Sequence, residues 1–294
     1  MSKPFKQVDV FTSKRFKGNP LAVFFEGDDL SDQEMQSMSN WTNLSETTFV
    51  LKPTNDKADY QVRIFTTMNE LPFAGHPTIG TCFALLELKL IKPNEHGKVY
   101  QQCLGGLVEL TIENYDENDL SNVLISFQLP FYQLIPMPLS NDQIEDCLNL
   151  PKNSISSTPV IVFDGPRWAT VELNHGDVVK DCKPNFDAIK KLSSEYNWDG
   201  IGIFGKYDNG DYELRNFAPL EGCNEDPACG SGAGAVGVFL SHHLKRSDVN
   251  TLTLNQGINL NRDAKLKVSI IRKNDCDPAI IVSGQALTIV NGKY

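Results

Sequence analysis

Apolar positions along this chain follow two patterns. Most are short β-branched runs separated by turn residues. "TTFVL" (47–51) is the clearest of them and reads as a strand. A few segments instead carry helix signals. Ser31-x-x-Glu34 is a capping box that predicts a helix over about 32–40. Pro77 suits a first helical turn, and "TCFALLELKL" supplies the apolar face of a helix over about 77–90. Ser231 opens a third helix over about 231–245. Gly232, Gly234 and Gly237 fall inside it and are poor helix formers, so tight packing has to compensate. The expected class is α+β: two pseudo-symmetric lobes, each a sheet around a central helix.

The pattern also repeats. "RIFTTMNELPFAGHPTIG" (63–80) and "RNFAPLEGCNEDPACGSGAG" (215–234) both open with Arg-x-Phe. Both reach Glu-x-x-x-x-Gly, at Glu70–Gly75 and Glu225–Gly230, and both run into a predicted helix. "NPLAVF" (19–24) matches "GPRWATV" (165–171), and "ETTFVL" (46–51) lies opposite "IGIFGK" (201–206). A duplicated domain explains this ordered series better than chance does. The expected division is an N-terminal lobe over 1–130 and a C-terminal lobe over 131–282. A strand over about 283–294 is a candidate to return to the first lobe. The proline-containing stretch 131–159 is the expected connector.

Composition narrows the function. The chain has 294 residues, 40% of them hydrophobic, and a formal net charge of -10. An acidic surface repels nucleic-acid phosphates and anionic lipid, so neither is an expected partner. No apolar run approaches the roughly 20 residues of a membrane helix, and "MSKPFKQVDVF" has no signal-peptide pattern. Seven cysteines without a CxxC fit free thiols in a reducing, cytoplasmic setting.

The chemistry concentrates where the repeated loops meet their helices. A helix start offers unpaired N–H groups and partial positive charge, which suits an anion. Gly75, His76, Gly230 and Ser231 stand at the two starts and are candidate holders of a small carboxylate. The copies differ in their side chains. His76 corresponds to Ser231, Ala74 to Cys229, Leu71 to Asp226 and Glu46 to Ile201. Such asymmetry suits moving one proton between two positions of a substrate better than a symmetric two-base racemisation. Glu46 is the candidate base and acid, with burial expected to weaken its acidity. No cofactor or metal is expected. His242-His243 with Cys223 and Cys229 lacks zinc spacing. The GxGxxG at 232–237 lacks the preceding strand that a dinucleotide site needs.

"DVFTSKRFKGNPLAVF", "NLSETTFVL", "ELPFAGHPTIGT" and "EDPACGSGA" resemble the phenazine-biosynthesis (PhzF-like) family, in a form that looks eukaryotic and fungal. The resemblance runs to "GQALTIVNGKY" and so covers nearly the whole chain. It implies the diaminopimelate epimerase-like fold, a homodimer and cofactor-independent isomerisation. It implies catalytic roles for Glu46, His76 and Asp226, with Glu46 shuttling the proton. Gly75, Gly230 and Ser231 match its substrate-binding positions. It also implies a small carboxylate substrate, of the kind represented by a cyclic amino acid. Cys229 departs from the isomerase pattern, and Ala74 lacks the cysteine that a two-cysteine epimerase would need. A one-cysteine racemase using a reactive Cys229 thiol and a non-catalytic carboxylate binder stand as alternatives.

The bland readings differ by position. Glu46 reads as a strand-edge acid, His76 as a helix-cap histidine, Asp226 as a turn former and Cys229 as a buried structural thiol.

Overall fold

The computed structural model describes residues 2–272 and 276–294. The chain folds into two compact units, Met1–Gln128 with Ser283–Tyr294, and Leu129–Val282.

The first unit contains β1 (Pro4–Val10), β2 (Asn19–Phe24), α1 (Asp32–Thr42), β3 (Thr47–Leu51), β4 (Tyr60–Phe65), β5 (Glu70–Leu71), α2 (Gly75–Glu87), β6 (Lys98–Cys103), β7 (Gly106–Glu113) and β8 (Leu124–Gln128). β1 pairs antiparallel with β2, β2 parallel with β3, and β3 antiparallel with β4. β4 then carries β5 antiparallel and β6 parallel, and β7 and β8 follow antiparallel. The chain's last strand, Ala286–Lys293, pairs antiparallel with β1.

The second unit repeats this order. It contains β9 (Gln133–Pro136), α3 (Asn141–Cys147), β10 (Val160–Phe163), β11 (Arg167–Glu172), α4 (Gly176–Asp181), α5 (Phe186–Tyr196), β12 (Gly200–Lys206), β13 (Tyr212–Ala218), β14 (Cys223–Asp226), α6 (Gly230–Val238), β15 (Thr251–Gln256), β16 (Ala264–Ile271) and, as far as Val282, β17 (Ala279–Gly284). β10 and β11 are antiparallel, β11 and β12 parallel, β12 and β13 antiparallel, and β13 and β15 parallel. β9 pairs with β10, in the position that the last strand takes beside β1. The stretch 131–159, expected to be the connector, supplies the strand β9 and the helix α3.

Strand alternation sorts side chains between two faces. Ala22, Phe24, Phe49 and Phe65 pack with Met35 of α1. Val10 and Leu21 crowd Gly80 of α2. In the second unit Ala169, Val171, Ile201, Ile203 and Phe217 share a core with Val179 of α4 and Ile189 of α5.

The two inner helices are buried almost all round. Twelve of the thirteen residues of α2 are buried, and eight of the nine of α6. α1 begins at Ser31 with both halves of the capping box formed. α2 starts two residues before Pro77 and ends at Glu87, short of the expected 90. α6 ends at Val238 and continues as a π-helical turn over Phe239–His243. Among the described residues no helix is long and apolar enough to cross a membrane.

Register corrects one correspondence. Ala22 pairs with Thr47, and Ala169 pairs with Ile201. The counterpart of Thr47 is therefore Ile201, which leaves Gly200 rather than Ile201 opposite Glu46.

Candidate active site

In the first unit the candidate residues meet around the start of α2. Ala74 is its N-cap and Gly75 and His76 are its first two residues. Gly75 is required by packing, because a Cβ there would lie 2.3 Å from the Phe127 ring. Glu46 immediately precedes β3. Its Oε2 is 3.0 Å from His76 Nδ1. His76 Nε2 is 3.1 Å from the carbonyl oxygen of Asn19, at the start of β2. The imidazole is 4% exposed and the Glu46 side chain 19%.

This arrangement fixes a proton count. A carbonyl oxygen only accepts, so His76 Nε2 carries its hydrogen and donates to Asn19. Nδ1 of a neutral ring is then an acceptor, and a carboxylate is also an acceptor. The Glu46–His76 contact therefore holds a proton, as imidazolium with carboxylate or as imidazole with carboxylic acid. Burial raises the Glu46 carboxyl, but the hydrogen bond and charge of His76 and a hydrogen bond from Ser45 outweigh it. The net position is below the ordinary value. This corrects the expectation that burial weakens its acidity. At neutral pH Glu46 is a carboxylate, and so a base.

In the second unit Cys229 is the N-cap of α6, with Gly230 and Ser231 as its first two residues. Of the two readings of Cys229, a reactive thiol and a buried structural one, the surroundings favour the second. Sγ accepts from Gly232 N–H at 3.2 Å and lies 3.4 Å from Ser231 Oγ. Burial raises the thiol well above its ordinary value, and the Asp226 charge adds to this. The Ser231 and Gly232 hydrogen bonds only partly offset them. Cys229 is a buried, neutral capping residue. Ser231 Oγ also accepts from the Trp168 indole N–H at 3.0 Å. Asp226 ends β14, and its Oδ1 accepts from Ala228 N–H at 2.9 Å, as a turn-forming aspartate does. The Gln256 carboxamide closes the loop, accepting from Cys229 N–H at 3.0 Å and donating to the Asp226 carbonyl at 2.9 Å.

Sequence reasoning missed Asn19, Ser45, Trp168 and Gln256. Asn19 acts through a main-chain carbonyl, for which no side-chain pattern exists. Trp168 and Gln256 are far from the loop in sequence and reach it only through strand pairing. Among the described residues no group of three or more His, Cys, Asp or Glu side chains is placed to hold a metal ion. His242 and His243 point elsewhere, the first 3.8 Å from Asp277 and the second 2.9 Å from the Thr158 carbonyl.

Known proteins resemble this chain along nearly its whole length. The family model "Phenazine biosynthesis-like protein" (PhzC-PhzF) matches residues 8–292. Antisense-enhancing sequence 1 of Schizosaccharomyces pombe is 46% identical, over 98% of this chain and 97% of its own length. Trans-2,3-dihydro-3-hydroxyanthranilate isomerase of Pseudomonas aeruginosa is 31% identical, covering 97% of each chain. The crystal structure of a PhzF-family protein from Bacillus anthracis superposes with a TM-score of 0.87 at 23% identity, covering 100% of this chain and 99% of that one. A probable proline racemase from Agrobacterium radiobacter shares the fold at a TM-score of 0.70 and 13% identity, covering 99% of this chain and 92% of that one. The fold is thus the α+β architecture common to PhzF proteins and this racemase, and the relatives place the chain among isomerases. It belongs to the phenazine biosynthesis-like (PhzC-PhzF) protein family.

Proposed function

We propose that this protein is a cofactor-independent isomerase that moves a proton on a small carboxylate-bearing substrate, with Glu46 as the acid/base shuttle. The observation that carries this reading is the Glu46–His76 pair, which shares a proton at Nδ1 while the ring's Nε2–H donates to the Asn19 carbonyl. In this scheme the Glu46 carboxylate takes a proton from a substrate carbon and returns it at another position. His76 orients the carboxylate and compensates its charge while the proton moves. Each helix start, with the N–H groups of Gly75 and His76 in the first unit and of Gly230 and Ser231 in the second, is a proposed holder of negative charge. Asp226 orders the loop that leads into α6. The neutral, buried Cys229 gives no support to a one-cysteine racemase, because thiolate chemistry needs a lowered thiol.

The substrate of the Pseudomonas aeruginosa relative, trans-2,3-dihydro-3-hydroxyanthranilate, is the first compound to test. The protein is incubated with it and with a pool of small carboxylates in D2O, and deuterium at carbon is followed by NMR and mass. Exchange should occur in at least one compound. Glu46→Gln should slow it by about 10²–10⁴-fold, the usual contribution of a positioned acid/base group. Undiminished exchange in that variant removes Glu46 from the mechanism. No exchange in any compound, with binding retained in a thermal-shift screen, favours a carboxylate binder.

A further inference from the structure

Both members of the Glu46–His76 pair are tied to Asn19, which opens β2. The Asn19 carbonyl accepts from His76 Nε2–H at 3.1 Å, and Asn19 Oδ1 lies 3.5 Å from Oγ of Ser45, the residue before Glu46. A neutral imidazole has two nitrogens and one hydrogen. The carbonyl draws that hydrogen to Nε2, which leaves Nδ1 facing Glu46. The position of one main-chain carbonyl therefore decides how the pair holds its proton.

That carbonyl follows the loop over 11–18, between β1 and β2. The loop has a strained backbone. Phe11 and Phe16 stand in the left-handed region at φ 63° and 65°, which residues with a Cβ hold only where their surroundings impose it. Gly18 lies so close to β1 that a Cβ there would meet the Val10 carbonyl oxygen at 2.1 Å and Asp9 Oδ1 at 2.9 Å. Asp9 of β1 fastens this end of the loop. It is 3% exposed, its Oδ2 accepts from Lys17 N–H at 2.9 Å, and its Oδ1 accepts from Gly18 N–H at 3.0 Å. The two oxygens of one buried side chain thus grip the two residues immediately before Asn19.

We propose that Asp9 is a positioning residue for the proton pair: its grip on Lys17 and Gly18 keeps the Asn19 carbonyl on His76 Nε2, and so keeps Nδ1 turned to Glu46. It acts through Asn19. The inference rests on the reading of Glu46 and His76 as the acid/base device. It gives a reason for a buried aspartate in β1, at a depth where acids are rare unless their oxygens are used.

The test reads the imidazole directly, by NMR of the isotope-labelled full chain at neutral pH. The His76 Nε2–H signal, assigned by its loss in His76→Gln, should exchange slowly with solvent. The main-chain N–H groups of Lys17 and Gly18 should be protected with it, and the three protections should fall in parallel across sub-denaturing urea, as groups of one opening unit do. Asp9→Asn keeps the size but puts a donor where one acceptor stood. It should speed exchange at all three by about tenfold or more, the size of a hydrogen bond to a charged group. The main-chain N–H groups shared between β3 and β4 of the same unit should keep their wild-type rates. Unchanged protection of His76 Nε2–H in Asp9→Asn overturns the inference and leaves the pair standing. Equal acceleration in β3 and β4 also overturns it, because Asp9 then only stabilises the unit. If Asp9→Asn does not fold, the wild-type urea series decides: parallel loss supports the inference, and a protected Nε2–H beside freely exchanging Lys17 and Gly18 overturns it. Undiminished carbon exchange in Glu46→Gln removes the catalytic purpose of the grip even where these protections hold, so the two failures are read separately.

Discussion

Gly80 and Gly232 show how the buried helices of this fold tolerate residues that weaken helices. An alanine favours a helix by about 1 kcal/mol over glycine in isolation. At Gly80 its Cβ would meet Leu21 Cδ2 at 2.6 Å and Val10 Cγ2 at 2.7 Å. At Gly232 it would meet the Asn216 carboxamide at 2.3–2.5 Å. The end of a leucine can turn aside. Asn216 is as deeply buried as Leu21 and is in addition tied by a hydrogen bond, its Oδ1 accepting from Gln256 Nε2 at 3.4 Å. Overpacking costs about 1–3 kcal/mol. Gly80→Ala should therefore be destabilising by about 1 kcal/mol or less, and Gly232→Ala by about 2–3 kcal/mol. Urea denaturation followed by circular dichroism measures both, and a neutral Gly232→Ala would mean that Asn216 is less confined than its contacts imply. The glycines at 232, 234 and 237, which in the sequence invite a nucleotide-loop reading, are spaces for Asn216, for Asp164 and Leu129, and for Val268 and Ile280.

The repeated Arg-x-Phe and downstream glutamate mark a shared strand-to-turn device. In β4 and β5, Arg63 Nε and Nη2 donate to the two carboxylate oxygens of Glu70 at 2.8 and 2.6 Å. In β13 and β14, Arg215 does the same to Glu225 at 2.9 and 2.8 Å. Each guanidinium also lies over the phenylalanine two residues on, at 5.1 Å from the Phe65 ring and 4.9 Å from the Phe217 ring. The copies differ in depth. Arg63 and Glu70 side chains are 21% and 23% exposed, Arg215 and Glu225 only 4% and 7%. Arg215 Nη1 also donates to the carbonyls of Val179 and Cys182, fastening the end of α4. Removing one partner of a buried pair strands the other charge, at a cost of about 3–5 kcal/mol, whereas a partly exposed pair is worth far less. Arg215→Met should therefore unfold its unit several-fold more readily than Arg63→Met, read as the difference in urea midpoint. Equal losses would show that the two copies carry equal weight. The repeat, the helix starts and the capping box at Ser31 were legible because each rests on residue identity at short spacing. The one-residue offset at Glu46, the sheet pairing of residues 133–136 and the net acidity of Glu46 were not. Each depends on which strands become neighbours, which no local pattern states.

Glu213 is an acid whose burial contributes to the protein's response to pH. Glu213 lies on β13, 2% exposed. Its Oε2 accepts from Tyr207 OH at 3.0 Å, and its Oε1 has no partner. Burial pushes its carboxyl up to about 7, against the pull of Tyr207, Arg215 and Lys180 and with a push from Glu225. In the unfolded chain a glutamate titrates near 4.3. Between the two values the folded protein holds a proton that the unfolded chain has lost. Its stability is therefore highest below the unfolded value, falls as pH rises through the window, and levels off above about 7. The loss from this group is on the order of 3–4 kcal/mol. Glu213→Gln removes the titration and keeps the shape. Its stability relative to wild type should be near zero or slightly negative at pH 4.5 and favourable by about that amount at pH 8. Thermal or urea melts of the two proteins across this range give the difference directly, with every other titrating group cancelling. A difference that does not change with pH would mean that Glu213 is ionised throughout and that Arg215 and Lys180 hold its charge.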